Sequence, residues 1–249
     1  SYNQIKIMSE FKFPTEEVEL PSKGLIYPKD HPLAKGKVEI KYMTAKEEDI
    51  LSNQAYIQKG VVLDKLLDSV IVSKDIDHRD LIIGDKNAVL IATRILGYGK
   101  DYKFSRDGKE LSVDLNDFEN VDFDEERIID NKNEFFFNLP FSGTDITYKL
   151  LTGRDEKKID AEIKGIQRIN KEANPELSTR LKFMILSVNG DVDKKTIRDF
   201  VDNYLLARDS RALRDEIRYT QPDVDLRYTL ESGEEVTVPI GLNFFWPDL

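Results

Sequence analysis

Apolar residues recur at helical spacing along most of the chain. Leu63, Leu66, Leu67 and Val70 fall on one stripe and predict a helix over 61–72. A helix over 45–53 precedes it, opened by Thr44 and Glu47, whose T-x-x-E spacing is that of a capping box. Val89, Ala92, Thr93 and Leu96 predict a third helix, with Asp85 as its N-cap and Gly97 or Gly99 as its end. Further on, Ile159, Ile163, Ile166 and Ile169 line one side of a predicted helix over 155–170. Asn174-Pro175 reads as an N-cap followed by proline at the first helical position. That helix turns Leu177, Leu181, Met184, Ile185 and Val188 inward and stops at Asn189-Gly190. Asp193 caps the next, with Val192 stapled onto Ile197 and an apolar face of Phe200, Val201, Tyr204 and Leu205. Leu213 and Ile217 mark a last helix.

Between the helices the period changes. A short strand is expected over 38–43. Asp107-Gly108 sits between alternating segments 102–106 and 110–115, the strongest short-range hairpin signal. Segments 134–138 and 144–151 flank LPFSG as a second hairpin, and 225–230 and 234–239 flank Ser232-Gly233 as a third. Residues 1–37 follow neither period. Pro14, Pro21, Pro28 and Pro32, with Gly24 and Gly36, forbid a long helix there. Ile5, Ile7, Phe11, Phe13, Val18 and Leu20 are too many apolar residues for a free linker. The segment reads as an extended arm, laid over its own core or paired with another chain by strand addition. The expected fold class is α+β: an extended N-terminal arm (1–37) before two mostly helical subdomains, each with β-hairpins. The first is an α/β subdomain with the Asp-Gly hairpin (38–130). The second (131–249) joins a hairpin and a helical subdomain to a terminal hairpin and an aromatic tail. There is no internal repeat.

Composition then removes function classes. The net charge of −10 opposes tracking of nucleic-acid phosphates over a broad surface and favours basic or apolar protein partners. With no cysteine, disulfides, thiolate metal sites and Cys nucleophiles are excluded, and two histidines cannot build a His-rich metal site. The N-terminus lacks an apolar signal region and no apolar run reaches membrane-spanning length, so a soluble, intracellular protein with no membrane association is expected.

Individual motifs fall short of catalytic patterns. His78-Arg79-Asp80-Leu81 matches part of a kinase catalytic loop, but Asp85 stands where the metal-binding Asn belongs and no Asp-Phe-Gly follows. These residues read as a polar loop leading to the Asp85 cap. Asp122, Asp124, Glu125 and Glu126 lack calcium-loop spacing and read as a solvated connector. The same test fails for Asp191 and Asp193. The glycines of Gly97-Tyr-Gly-Lys100 have neither Walker nor dinucleotide spacing, and Ser142 has no nucleophile elbow. Arg208, Arg211, Arg214 and Arg218 are interleaved with Asp209, Asp215 and Glu216, which reads as a charged helix face rather than a nucleic-acid contact. Phe244, Phe245 and Trp246 are costly to leave in water; they pack on the chain's own helices or anchor a partner.

One run of residues is more specific. PSKGLIYP at 21–28 is followed by GKVEIKYMTAKEEDIL at 36–51, then KGVVLDKLLDSVI at 59–71, and later LPFSGTDITYKLLTGRDEKKI at 139–159. In this order the segments resemble the baseplate-hub assembly chaperones of T4-like tailed bacteriophages, with specificity from about Pro21 to Ile169. Many members of that family carry Cys-x-x-Cys pairs around the Asp-Gly hairpin; here those positions read YKFSRDGKELSVDL, which removes the metal. The resemblance implies a non-enzymatic assembly factor of the phage tail baseplate hub, whose partners are hub or tail proteins. It would act in the host cytoplasm during assembly, and would then leave or remain in the virion baseplate. No catalytic residue, metal or cofactor is expected. Phe11, Phe13, Tyr27, Phe244, Phe245 and Trp246 are the candidate partner contacts. Nucleic-acid binding and phosphotransfer are the alternatives, disfavoured by charge and by motif spacing.

Overall fold

A computed structural model describes residues 14–245 and shows an α+β chain in which helices alternate with small antiparallel sheets. Strand β1 (Thr15–Glu19) pairs with β2 (Lys37–Lys41), placing Val18 opposite Val38. Between them the chain folds into a tight loop, closed where Leu20 N donates to Gly36 O at 2.9 Å. Gly24 and Gly36 adopt φ of 78° and 74°, the left-handed region. A Cβ on either would come within 2.5 Å of a carbonyl, Ala34 O for Gly24 and Lys23 O for Gly36. Prolines forbid helix here but do not forbid burial: Leu20, Ile26, Tyr27 and Leu33 lie in the core. The described part of the expected arm, from Pro14 onward, is therefore integral to the fold; residues 1–13 lie outside the described residues.

Three helices follow, α1 (Ala45–Leu51), α2 (Gln54–Lys59) and α3 (Val62–Val70). The second was not expected; the Asn53 side chain accepts from Tyr56 N at 3.1 Å to start it, and Gly60 at φ 70° ends it. Helix α4 (Ile83–Tyr98) has Ile82 in the N-cap position and Gly99 after its end. Asp85 is thus a correction: it sits inside the first turn, not at the cap. Strands β3 (Asp101–Arg106) and β4 (Lys109–Asp114) form the expected hairpin. Its turn residues Asp107 and Gly108 have φ of 52° and 76°, the two positive values a tight hairpin turn requires.

Strands β5 (Phe135–Asn138), β6 (Asp145–Tyr148) and β7 (Ile185–Val188) form one sheet in that order. Helix α5 (Gly153–Ile169) separates β6 from α6 (Glu176–Met184), which runs directly into β7. The expected helix continuing to Asn189 is therefore wrong, because Ile185–Val188 pairs with β6 instead. Pro175, not Asn174, occupies the N-cap position of α6 and provides no side-chain cap. Ile159 and Ile163 are buried, but Ile169 is 92 % exposed where the stripe runs off the helix end. Helix α7 (Lys194–Asn203) is capped by Asp193, whereas Val192 and Tyr204 are exposed, so the expected staple is not made. Helix α8 (Ala207–Thr220) buries Leu213 and Ile217. The terminal hairpin pairs β8 (Arg227–Thr229) with β9 (Glu235–Thr237), and a single turn of helix, Leu242–Phe245, ends the described chain.

The main core cluster draws on residues on both sides of 130, from Leu20 to Phe245, and Leu151, Ile159 and Ile163 form a smaller second cluster, so the boundary expected at 130 does not separate two cores. Main-chain bonds stitch the same seam. Ile83 N donates to Leu151 O at 3.2 Å and Gly153 N to Leu81 O at 3.1 Å. Val121 N reaches Asp223 O at 2.8 Å. Among the described residues no helix is long and apolar enough to cross a membrane.

Candidate functional site

The residues of the distinctive motifs meet inside the fold. Glu47 is fully buried, and its Oε2 accepts from the amide and the hydroxyl of Thr44, both at 2.8 Å. Its Oε1 accepts from Ser69 Oγ at 2.9 Å and pairs with Lys41. Burial pushes this carboxyl up, but Lys41 and the three hydroxyl and amide donors outweigh it and hold it at about 2. The TAKEED and LLDSVI segments are thus tied through one carboxylate.

Asp85 ties the PSKGLIYP segment to α4 in the same manner. Its Oδ1 accepts from Ser22 N at 2.9 Å, and its Oδ2 accepts from Tyr27 Oη at 2.7 Å and from Ser22 Oγ at 2.5 Å. The Tyr27 hydroxyl also accepts from Ile82 N at 3.0 Å, satisfying an amide at the start of α4. Ser22, Tyr27 and Asp85 are all buried. Burial pushes Asp85 up to about 6 despite the Ser22 and Tyr27 donors, and it raises Tyr27 as well. One residue earlier, Gly84 lets the backbone of 222–223 approach so closely that a Cβ would stand 1.8 Å from Pro222 O.

A third junction joins LTGRDE to the His78-Arg79-Asp80 loop. Thr152 caps α5 with Asp155 in a capping box, and Asp155 pairs with Lys149 at 2.7 Å. Arg154 then reaches Asp80 Oδ1 and Asp77 Oδ2, each at 2.6 Å. Hydrogen bonds from Arg79, joined by the nearby Arg154 charge, hold Asp77 well below the usual carboxylate range. His78 is buried with Nε2 3.1 Å from Asp68, and burial lowers its proton affinity. The segment is the polar loop expected, but it leads to no Asp85 cap, and its contact with Arg154 was not foreseen.

The remaining candidates have structural partners. Asp124 accepts from Glu126 N at 3.1 Å to start a short turn, and Glu125 pairs with Lys23. Among the described residues no group of three or more His, Asp or Glu side chains is arranged to hold a metal ion. Gly97 admits the Met43 side chain, and Ser142 Oγ donates to Thr144 Oγ1 at 2.9 Å.

Of the six candidate partner contacts, Phe11, Phe13 and Trp246 lie outside the described residues. Tyr27, Phe244 and Phe245 are interior and packed by their own chain, so of the two readings of the tail Phe244 and Phe245 follow self-packing, and none of the three is free as a partner contact. Phe244 meets Tyr102 edge-on at 4.9 Å and Phe245 at 5.4 Å between ring centroids. Its carbonyl accepts from Arg94 Nε at 3.0 Å, while Arg94 Nη1 and Nη2 donate to Gly99 O and Asp101 O at 2.8 and 3.2 Å. Nothing in sequence spacing marks Arg94 or Asp85 for these roles, because each partner lies on a distant segment or at a helix end.

Helix α8 departs most from its sequence. Asp209 turns inward, where its carboxylate accepts from Phe141 N at 2.8 Å and Ser142 N at 3.0 Å. Burial pushes Asp209 up, yet these amides outweigh it and lower it overall. Glu216 pairs with Arg127, and only Asp215 stays with the stripe, 3.8 Å from Arg218. Arg211 and Arg214 are left exposed without a carboxylate partner among the described residues, and Arg208 lies over the Phe141 ring at 5.3 Å. Compared with protein-family models, curated proteins and solved structures, the chain matches none.

Proposed function

We propose that this chain is a non-enzymatic assembly factor of the tail baseplate hub of a T4-like phage, working through protein–protein contacts. One observation carries the reading: the segments of the resemblance, in their order, supply cross-links of this fold, buried at Asp85 and Glu47 and at the surface at Arg154. Ser22 and Tyr27 of the first segment hold Asp85; Lys41, Thr44 and Glu47 of the second hold Ser69 of the third; Arg154 of the fourth holds Asp77 and Asp80. A shared phrase made of such residues speaks for a shared fold, and the hub role comes with the fold by analogy. On this reading the chain covers a surface of a hub component until its next partner arrives, acting in the host cytoplasm before or as the baseplate forms.

Co-expression of the full chain with each hub and tail protein of the same phage tests the proposal. The expected result is a complex of defined stoichiometry with at least one of them, surviving size exclusion. Separate elution from every hub and tail protein overturns it.

A further inference from the structure

A groove of about 390 Å³ runs between the start of α6 and the α7–α8 corner, floored by Leu177, Leu181, Val201, Leu205 and Ala207 and edged by Arg214. None of its lining residues is acidic. Leu177 is 46 % exposed, and Leu205 stands between the exposed Tyr204 and Leu206 in the chain. Arg211, Arg214 and Arg218 follow one another at helical spacings of three and four, on the same shoulder of α8 as Ala207. Two of the acids that alternate with them are engaged elsewhere, Asp209 with the 141–142 amides and Glu216 with Arg127, and Asp215 pairs with Arg218. A chain of net charge −10 thus keeps Arg211 and Arg214, which have no carboxylate partner among the described residues, beside its apolar groove.

We infer that this groove docks an acidic amphipathic helix of a partner protein, its apolar residues on Leu177, Leu181 and Leu205 and its carboxylates against Arg211 and Arg214. Charge complementarity selects this occupant. A basic helix would bring like charges together, and a purely apolar one would leave the arginines unmatched. A helix fits because its i, i+3, i+4 and i+7 side chains lie along a groove of this kind while its flanks face the rim. Nucleic acid is the weaker match, since its phosphates gain nothing from an apolar floor and meet a net-negative protein. The inference rests on the assembly-factor reading only in taking the partner to be a protein, and it adds the chemistry of the bound segment.

The test uses the full chain, 15N-labelled, and fluorescent helical peptides of about 15 residues with Leu or Ile at i, i+3, i+4 and i+7 and Glu elsewhere. Controls carry Lys in place of Glu, or Ser in place of the apolar residues, and a single-stranded oligonucleotide is added. Acidic amphipathic peptides are expected to bind, to move the amides of 174–181 and 201–214, and to weaken with added salt. R211E/R214E, both at exposed positions, should weaken binding about tenfold or more with an unchanged thermal melt. Leu177→Ser should weaken it independently. Failure of every acidic peptide to bind, equal binding by the Lys control, or binding unchanged in R211E/R214E overturns the inference. So does oligonucleotide binding that maps to the same amides. No hub protein enters this assay, so its failure is distinct from that of the co-expression experiment.

Discussion

The Tyr27 hydroxyl and the Asp85 carboxylate, 58 positions apart in sequence, meet at 2.7 Å, and through them a proline-rich loop is fastened to the first turn of α4. Tyr27→Phe removes the donor to Asp85 and also the acceptor for Ile82 N. An expected loss of about 1–3 kcal/mol follows, since a buried group left without its partner costs more than an average hydrogen bond. Urea unfolding at pH 7 measures it; a midpoint equal to that of the parent would show that the loop is not fastened there.

Asp85 and Glu47 give the protein opposite pH responses in separate windows. Asp85 titrates near 6 in the folded state, above its unfolded value of 3.8. Its contribution is fully present below that unfolded value and is lost as pH rises through about 6. Glu47 lies near 2 when folded, below its unfolded 4.5, so its contribution is present above 4.5 and is lost as pH falls toward 2. Unfolding free energies from pH 3 to 8 should show Asp85→Asn flattening the upper window alone. Glu47→Gln should flatten the lower one. A single change affecting both windows equally would contradict the assignment.

At the start of α1 two substitutions should differ in size. Thr44→Ala removes the hydroxyl that donates to Glu47 and is expected to cost about 1 kcal/mol. Glu47→Ala takes the shared carboxylate from Lys41, Ser69 and the Thr44 amide together, and about 3–5 kcal/mol is expected. Denaturant midpoints with matched slopes decide the order.

Two helical glycines should respond in opposite directions. Gly165 of α5 has open space around its missing Cβ, and Gly165→Ala should stabilise by about 0.5–1 kcal/mol. At Gly84, where Pro222 O would be 1.8 Å from the new carbon, Gly84→Ala should cost on the order of 3 kcal/mol by forcing the backbones apart. Thermal melts of the pair are a direct check.

Removing residues 243–249 takes away Phe244 and Phe245, both 1 % exposed, and the carbonyl that binds Arg94 Nε. The loss should be on the order of 3–5 kcal/mol or more, visible as a low soluble yield or a lost cooperative melt. A truncated chain with the parent's melting temperature would mean that these rings do not belong to the core.

Local chemistry made some of this fold legible and distance hid the rest. The Asp107-Gly108 hairpin and the Asp193 cap are decided within a few residues, and both are found where expected. At 185–188 the apolar positions satisfy a helical period as well as an alternating one, and pairing with β6, some forty residues away, chooses the strand. Asp85 has the local preference of a cap, yet its donors come from Ser22 and Tyr27. The α8 arginines looked neutralised because sequence shows that Asp209 and Glu216 alternate with them, but not that both point elsewhere. The tail was read either way, and only its geometry against Tyr102 and Arg94 distinguishes packing from exposure.

Arg94 has one further consequence, which concerns synthesis rather than the finished molecule. Its guanidinium binds a carbonyl 150 residues downstream, at Phe244, and the ring of that residue completes the face of the β3–β4 hairpin at Tyr102. The first half of the chain therefore leaves the ribosome with a buried cation and an aromatic face still unfilled. It can be closed only when the segment around Phe244 has been translated. Folding of this part waits on Phe244, and a product cut short before it carries an open core, the kind of exposed apolar surface that proteases and chaperones recognise.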